Sequence, residues 1–316
     1  NQPSYDAGKL DNFVLGVASL NDKGNWDKLA IVDLFFDLLP EFAHKEPEIA
    51  KELWVLENQG LSSYMCEMID NNIEVTDNLF LRSDYQDSIQ KIIKDSDLFD
   101  RLRYRYSDFP YYILKKYIEE YYDKPLDELV QDHFYESLGA NYAMYNPNNK
   151  MSNRNIAPTE EDDYFRYQKI QGYVHDMGAA MQDGVGGHAG VFSNANDVAK
   201  IMQMFLQKGY YGGKRYLKLE TLDKFNRCYY CSNDNRRGIG FDKPQLGETG
   251  PTCGCISMTS FGHSGFTGTY AWADPEEEIV YVFLANRTYP KAGKNLLLRE
   301  DIRTNIQAAI YEAIID

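Results

Sequence analysis

Near the end of the chain, Phe261-Gly-His263-Ser264-Gly265-Phe266-Thr267-Gly268-Thr269 sets an imidazole and several hydroxyls among glycines. Glycine beside a strand lets a ligand's backbone approach closely, although the same glycines could simply make a bulge. His175-Asp176 offers an acid–base pair, because a carboxylate can orient an imidazole. Neighbouring side chains on an extended segment point apart, so fixing a loop is the favoured role there. His188, inside Gly184-Val-Gly-Gly-His-Ala-Gly190, either faces a ligand or caps the next helix. Cys228-Tyr-Tyr-Cys231 and Cys253-Gly-Cys255 form two close pairs beside the lone Cys66. Four thiolates can hold zinc in a tetrahedron, but C-x-C is not the usual knuckle. Free thiols therefore come first as a reading, disulfides second and zinc third. Glu160-Glu-Asp-Asp163 lacks the regular ligand spacing of a Ca²⁺ loop and reads as solvated. Neither a metal nor a cofactor is expected.

The 316 residues carry 48 acidic against 33 basic side chains, a formal net charge of −15. Nucleic acid and anionic membrane surfaces repel such a polyanion, so neither is expected as a partner. No apolar run approaches the roughly 20 residues that span a bilayer. At 43% hydrophobic and 26% charged the composition is that of a globular protein. Five cysteines are too few for a disulfide scaffold at this length. The 25 tyrosines suit a sugar- or peptide-binding surface but serve equally as core. The chain opens on Asn1 rather than Met, and upstream trimming is expected, so its start does not report a compartment.

These residues need a scaffold, and the apolar periodicity supplies one. The first half reads as helical, with a helix or a strand over residues 13–20 and a short buried element over 31–42. Amphipathic helices are expected over 87–98, 111–122 and 126–135, the last following Pro125. Residues 146–163 read as a long surface loop. A helix over 196–207 follows, with Asn194 or Asn196 as its cap and Gly209 ending it. Residues 269–273 and 279–284 form an antiparallel hairpin across Asp274-Pro-Glu-Glu-Glu278, and a helix over 302–315 closes the chain. Helices first and then a hairpin indicate α+β rather than alternating βαβ. One domain over 1–316 is expected, with a helical part at about 50–180 and the sheet mainly at 235–316.

His263-Ser264-Gly265 before Thr267-Gly268-Thr269 resembles the K-T-G element of penicillin-recognising serine enzymes, in which His can replace Lys. Tyr106-Ser107-Asp108 resembles their Tyr-x-Asn element, with Asp108 at the Asn position. Leu39-Pro-Glu-Phe42, Asn58-Gln-Gly60-Leu61, Ser137-Leu-Gly139, Ile156-Ala-Pro-Thr-Glu160, Gly172-Tyr-Val-His-Asp176, Gly187-His-Ala-Gly-Val-Phe192 and Asn286-Arg287 follow in the family's order. From about Tyr5 onward the chain resembles the β-lactamase-related serine hydrolases and penicillin-binding proteins. It is most like the branch fused C-terminally to family-3 glycoside hydrolases (β-N-acetylglucosaminidases).

That resemblance implies a β-lactamase/transpeptidase-like fold: an antiparallel sheet flanked by helices, with a helical subdomain. It implies peptidoglycan-related amide or ester ligands, a possible neighbouring glycosidase domain, and a periplasmic or cell-surface setting. It gives Lys9 and Tyr106 the proton-moving positions, lines the substrate strand with His263, Ser264 and Gly265, and makes the Phe266 N–H an oxyanion donor. Thr267 and His188 join as substrate contacts. The family's Ser-x-x-Lys falls on Asp6-Ala-Gly-Lys9, so aspartate stands where the serine nucleophile should be. Ser88-Ile-Gln-Lys91 matches the pattern literally, but lies too far downstream within an amphipathic helix. Only five residues precede Asp6, so either the strands that normally enter this fold lie upstream, or residues 13–20 supply a strand and the first element is missing altogether. The expectation is a degenerate, non-hydrolytic domain that binds a cell-wall fragment or packs, as an accessory domain, against a partner glycosidase. The alternative is an active serine hydrolase.

Overall fold

The computed structural model describes residues 72–82, 85–96, 104–233, 235–245, 250–293 and 295–314. Asp6, Lys9, Cys66 and the elements expected over 13–20 and 31–42 lie outside these residues. In chain order the main elements are β1 (Asn72–Thr76), β2 (Leu79–Arg82), α1 (Tyr85–Asp95), α2 (Phe109–Tyr122), α3 (Leu126–Val130), α4 (Met177–Ala180), α5 (Ala195–Leu206) and α6 (Leu219–Asn226). Then come β3 (Phe261–Ser264), β4 (Tyr270–Asp274), β5 (Ile279–Phe283), α7 (Leu296–Arg299) and α8 (Ile302–Glu312). They fall into two compact units. Among the described residues one unit holds those up to 96, with 107–118 and 161–190. The other holds 104–106, 119–160 and 191–314.

In the first unit β1 and β2 form an antiparallel hairpin, which the sequence reading passed over. Asp77 and Asn78 make its turn, and Asn78 takes a left-handed conformation (φ 58°) that asparagine tolerates. Val75, Leu79 and Leu81 are buried, as are Tyr85 and Ile89 on α1. α1 carries Ser88 and Lys91, and the Lys91 ammonium pairs with Asp95. Arg166, fully buried, donates to the carbonyls of Val174 (2.7 Å) and His175 (2.6 Å) and meets Asp162 at 3.3 Å. Those bonds fix the segment that leads into α4.

The second unit is layered around α5. Asn194 caps this helix by accepting the Asp197 N–H at 2.9 Å, one of the two caps the sequence offered. Met202 and Leu206 pack on Phe261 of β3 and Ala273 of β4. Met204 meets Leu138, Ala140 and Ala143 at the end of the helical run that α3 begins. A π-helical turn, Gln131–Tyr135, interrupts that run, and Gly139 at φ 65° ends it. β3, β4 and β5 pair antiparallel in that order, with His263 opposite Ala271 and Trp272 opposite Tyr281. Gly262 is required in β3: a Cβ there would stand 2.2 Å from the Ala271 carbonyl and 2.4 Å from the Trp272 ring. Trp272, with Tyr270, Tyr281, Ile256 and Tyr311 of α8, forms the core beneath the sheet. Buried Asp274 closes the β4–β5 turn, accepting the Ser257 N–H at 2.9 Å and the Tyr311 hydroxyl at 2.8 Å.

The cysteines correct the first reading of free thiols. Each close pair is a disulfide, Cys228–Cys231 and Cys253–Cys255. The tight turns bring the Cα atoms to 5.7 and 5.3 Å, within disulfide reach. Gly254, at φ +77°, lets the shorter pair fold back. No group of side chains among the described residues is arranged to hold a metal ion.

Candidate active site

His263 stands near the end of β3, half-buried, and its hydrogen bonds define its chemistry. Nδ1 lies 2.8 Å from the Ser264 carbonyl, which can only accept, so Nδ1 carries the hydrogen. Nε2 lies 3.0 Å from Arg237 Nη1, which can only donate, so Nε2 is the acceptor. The pattern is that of a neutral imidazole in the Nδ1–H form, and the cation at this position is Arg237. The Tyr106 ring lies 6.3 Å from the His263 ring, and the guanidinium sits 5.1 Å from Tyr106 and 5.9 Å from Tyr104. Two of the residues singled out from sequence, Tyr106 and His263, are thus brought together, with Arg237 between them.

Arg237 is held by Asp242, whose buried carboxylate is 3.6 Å from Arg237 and 2.9 Å from Arg236. Asp242 pairs by backbone with Gly262, in bonds of 2.8 and 3.1 Å, so the acid is locked to the edge of β3. Arg237 was not anticipated. Its partner is 26 residues away in sequence, and no local pattern marks it.

Ser264, Gly265, Phe266 and Thr267 run from β3 into the turn. The Gly265 N–H donates to Thr269 at 2.8 Å, and Gly268 closes the turn with a 3.0 Å bond back to Gly265. A Cβ on Gly265 would meet the Thr269 hydroxyl at 2.2 Å. Phe266 is exposed, with Arg287 4.4 Å over its ring, and the Thr267 carbonyl accepts the Arg287 N–H at 2.9 Å.

Asp108 and His188 belong to the first unit. The Asp108 carbonyl accepts the Tyr111 N–H at 2.9 Å, opening α2. The His188 side chain is only 4% exposed, stacked on Tyr112 at 4.8 Å, with Nε2 2.8 Å from Asp176. Asp176 also accepts the Ala179 N–H at 2.7 Å, capping α4, so one carboxylate ties helix to glycine loop. Burial works to raise the Asp176 carboxyl, but the bond and charge of His188, with the Ala179 N–H, outweigh it and hold the carboxyl below its ordinary range. Burial first, then the charges of Asp176 and Asp108, push the Tyr112 phenol up, so it stays protonated. Gly178 is required beneath it, because a Cβ would lie 1.9 Å from the Tyr112 oxygen. The imidazole hydrogen-bonded to the Asp176 carboxylate is therefore that of His188, twelve residues on.

Residues 84–303 match the β-lactamase family. The chain belongs to it. Its α+β fold is of the β-lactamase/penicillin-binding-protein type. Two curated relatives, from Salmonella enteritidis and Salmonella typhi and each named "Putative D-alanyl-D-alanine carboxypeptidase", are 33% identical over 229 residues. The alignment covers 67% of this chain and 52% of each of theirs, so the chain spans about half the length of those relatives. The solved structure described as "EstCE1, a hydrolase with promiscuous acyltransferase activity" superposes with a TM-score of 0.51 at 17% identity, over 72% of this chain and 61% of that one, a likeness of fold. No helix among the described residues is long and apolar enough to cross a membrane.

Proposed function

We propose that this β-lactamase-family chain binds peptidoglycan-type peptides ending in a free carboxylate, through Arg237, His263 and Tyr106, and does so without turnover. One observation carries the reading. Among the described residues Arg236 and Arg237 both pair with Asp242, two cations to one acid, which leaves an excess positive charge there in a chain of net charge −15. A guanidinium recognises a carboxylate through paired N–H donors, and its contact is strongest where water is partly excluded. The relatives' name adds D-alanyl-D-alanine as the ligand class.

The second half of the reading rests on the motif resemblance in the sequence, in which Asp6 falls at the nucleophile position and Lys9 at that of the base; the matched residues 84–303 do not include them. A carboxylate attacking an amide would give a mixed anhydride, far more labile than a serine ester. A neighbouring glycoside hydrolase domain and a periplasmic or cell-surface setting belong to the same proposal. A working hydrolase is the second reading, favoured by the carboxypeptidase name of the relatives.

Intact-protein mass spectrometry after incubation with a β-lactam or a fluorophosphonate should show no stable adduct. A stoichiometric mass increase on a serine would overturn the non-hydrolytic reading. Calorimetry with N-acetyl-D-alanyl-D-alanine and its C-terminal amide tests recognition: Arg237→Gln or amidation should each weaken binding about 10- to 100-fold, the worth of a charged hydrogen bond. Equal binding of acid and amide would refute the role of Arg237.

A further inference from the structure

Arg237 hangs from a closed excursion of the chain. The main chain leaves the end of α6 at Asn226 and returns where the Ile239 N–H donates to the Phe225 carbonyl at 2.7 Å. Gly238 is pinned at the same place: a Cβ there would meet the Phe225 carbonyl at 2.4 Å. Within the excursion the Cys228–Cys231 disulfide closes the first turn. The Asn235 N–H then bonds the Tyr230 carbonyl at 3.3 Å, between the two cysteines, pairing the two sides of the loop. The Asn235 side chain accepts the Arg237 N–H at 3.1 Å, and Arg237 reaches His263 Nε2 at 3.0 Å. A continuous path therefore runs from the disulfide through Tyr230 and Asn235 to the guanidinium on His263.

We propose that Cys228–Cys231 is a reversible thiol–disulfide site that fastens Arg237 on His263, so that its redox state sets the cation of the site. The argument is one of scale. A disulfide closing so few residues constrains the unfolded chain least of all, so its loss leaves the fold standing. What it does constrain is the turn that presents Tyr230 to Asn235. Cys228 and Cys231 are half-buried residues and the intervening Tyr229 and Tyr230 are exposed, which places the pair where a small dithiol can approach it. A dithiol supplies the two electrons: its first thiolate attacks one sulfur and expels the other cysteine as a thiolate. Its second thiolate attacks the reagent sulfur of the mixed disulfide and expels the remaining cysteine thiolate. The reagent's two protons leave Cys228 and Cys231 as thiols beside the reagent's own disulfide. Reoxidation by an oxidised dithiol restores the bond.

The proposal uses the carboxylate reading only for its ligand arm, and the first readout is independent of any ligand. In ¹⁵N-labelled protein the oxidised form should show the His263 Nδ1–H pattern with Nε2 accepting. Dithiothreitol should shift the Nε2 resonance to that of Arg237→Gln, while circular dichroism stays unchanged. Alkylation mapped by mass spectrometry should find thiols at Cys228 and Cys231 in folded protein. The double variant Cys228→Ser, Cys231→Ser should show the shifted resonance at the outset and not respond further to dithiol. Reduction that leaves Nε2 unmoved, or thiols that appear only on unfolding, would overturn the proposal. A response that persists in the double variant would do the same by assigning the effect to Cys253–Cys255. In the ligand arm, reduction should lower the acid-over-amide preference about tenfold. Absence of that preference in oxidised protein refutes the carboxylate reading alone, since the His263 resonance still reports the latch.

Discussion

Lys243, next to the acid that holds Arg237, is buried, with its ammonium donating to Asn226 (2.7 Å) and to the Thr259 carbonyl (3.0 Å). Burial pushes it down to about 8 against the opposing pull of Asp274. The native state then releases its proton more readily than the unfolded chain, whose lysine titrates near 10.5. Between those values the unfolded state binds more protons, so stability rises with pH through that window, by at most about 3 kcal/mol, and the penalty is fully present below pH 8. Urea unfolding of wild type and Lys243→Met at pH 7.5 and 10 should show the wild type gaining about 2 kcal/mol on the variant at the higher pH. The tyrosines titrate in both proteins and cancel in that difference. An unchanged difference would show that Lys243 is charged in the native state throughout. Neither this lysine nor Arg237 was legible beforehand. What sets each apart is a partner many residues distant, and a cation beside Asp242 reads in sequence as ordinary solvated surface. His263 and Tyr106 were legible because glycine spacing and a tripeptide surround them.

One short element depends on a single acid. Asp176 caps α4 and holds His188 of the glycine loop, so its carboxylate serves two backbone segments. Asp176→Ala should cost about 2–4 kcal/mol, the sum of a cap and a charged hydrogen bond, and should raise amide exchange across 184–190. Asp176→Asn keeps an acceptor for the Ala179 N–H and should cost about 1 kcal/mol. Because the folded carboxyl is held below its ordinary range, the contribution is present at neutral pH and is lost as pH falls through the folded pKa. Equal exchange in both variants would mean that the glycines, not the acid, set the loop. At this scale much of the fold was legible. β4, β5, α5 with its Asn194 cap, and α8 follow apolar runs that repeat at one period to their ends. The β1–β2 hairpin escaped for a physical reason. A bulge between Glu74 and Thr76 buries Val75 and Thr76 in succession and breaks the two-residue alternation. The left-handed Asn78 in an Asp-Asn turn was the signal that could have found it.

At the scale of the whole molecule, the net charge opposes the proposed ligand while the arginine pair at β3 attracts it. The chain carries a net −15, while Arg236, Arg237 and Asp242 leave a local excess of one positive charge. The two fields differ in range. The repulsion is the sum of charges spread over the whole protein and acts on an incoming anion across tens of ångströms. The attraction is felt at hydrogen-bond distance beside a half-buried guanidinium, where counterions screen poorly. Raising ionic strength from 0.01 to 0.15 M shortens the Debye length from about 30 to about 8 Å, which removes most of the repulsion and little of the contact. The association rate of N-acetyl-D-alanyl-D-alanine should therefore rise a few-fold over that range, measured by stopped-flow, while its neutral amide stays flat. Arg237→Gln should steepen the rise, because it removes positive charge from the entrance and leaves the distant field intact. A rate that falls with salt would mean that the arginine pair dominates the approach as well as the contact, and that the net charge is carried on faces the ligand does not pass.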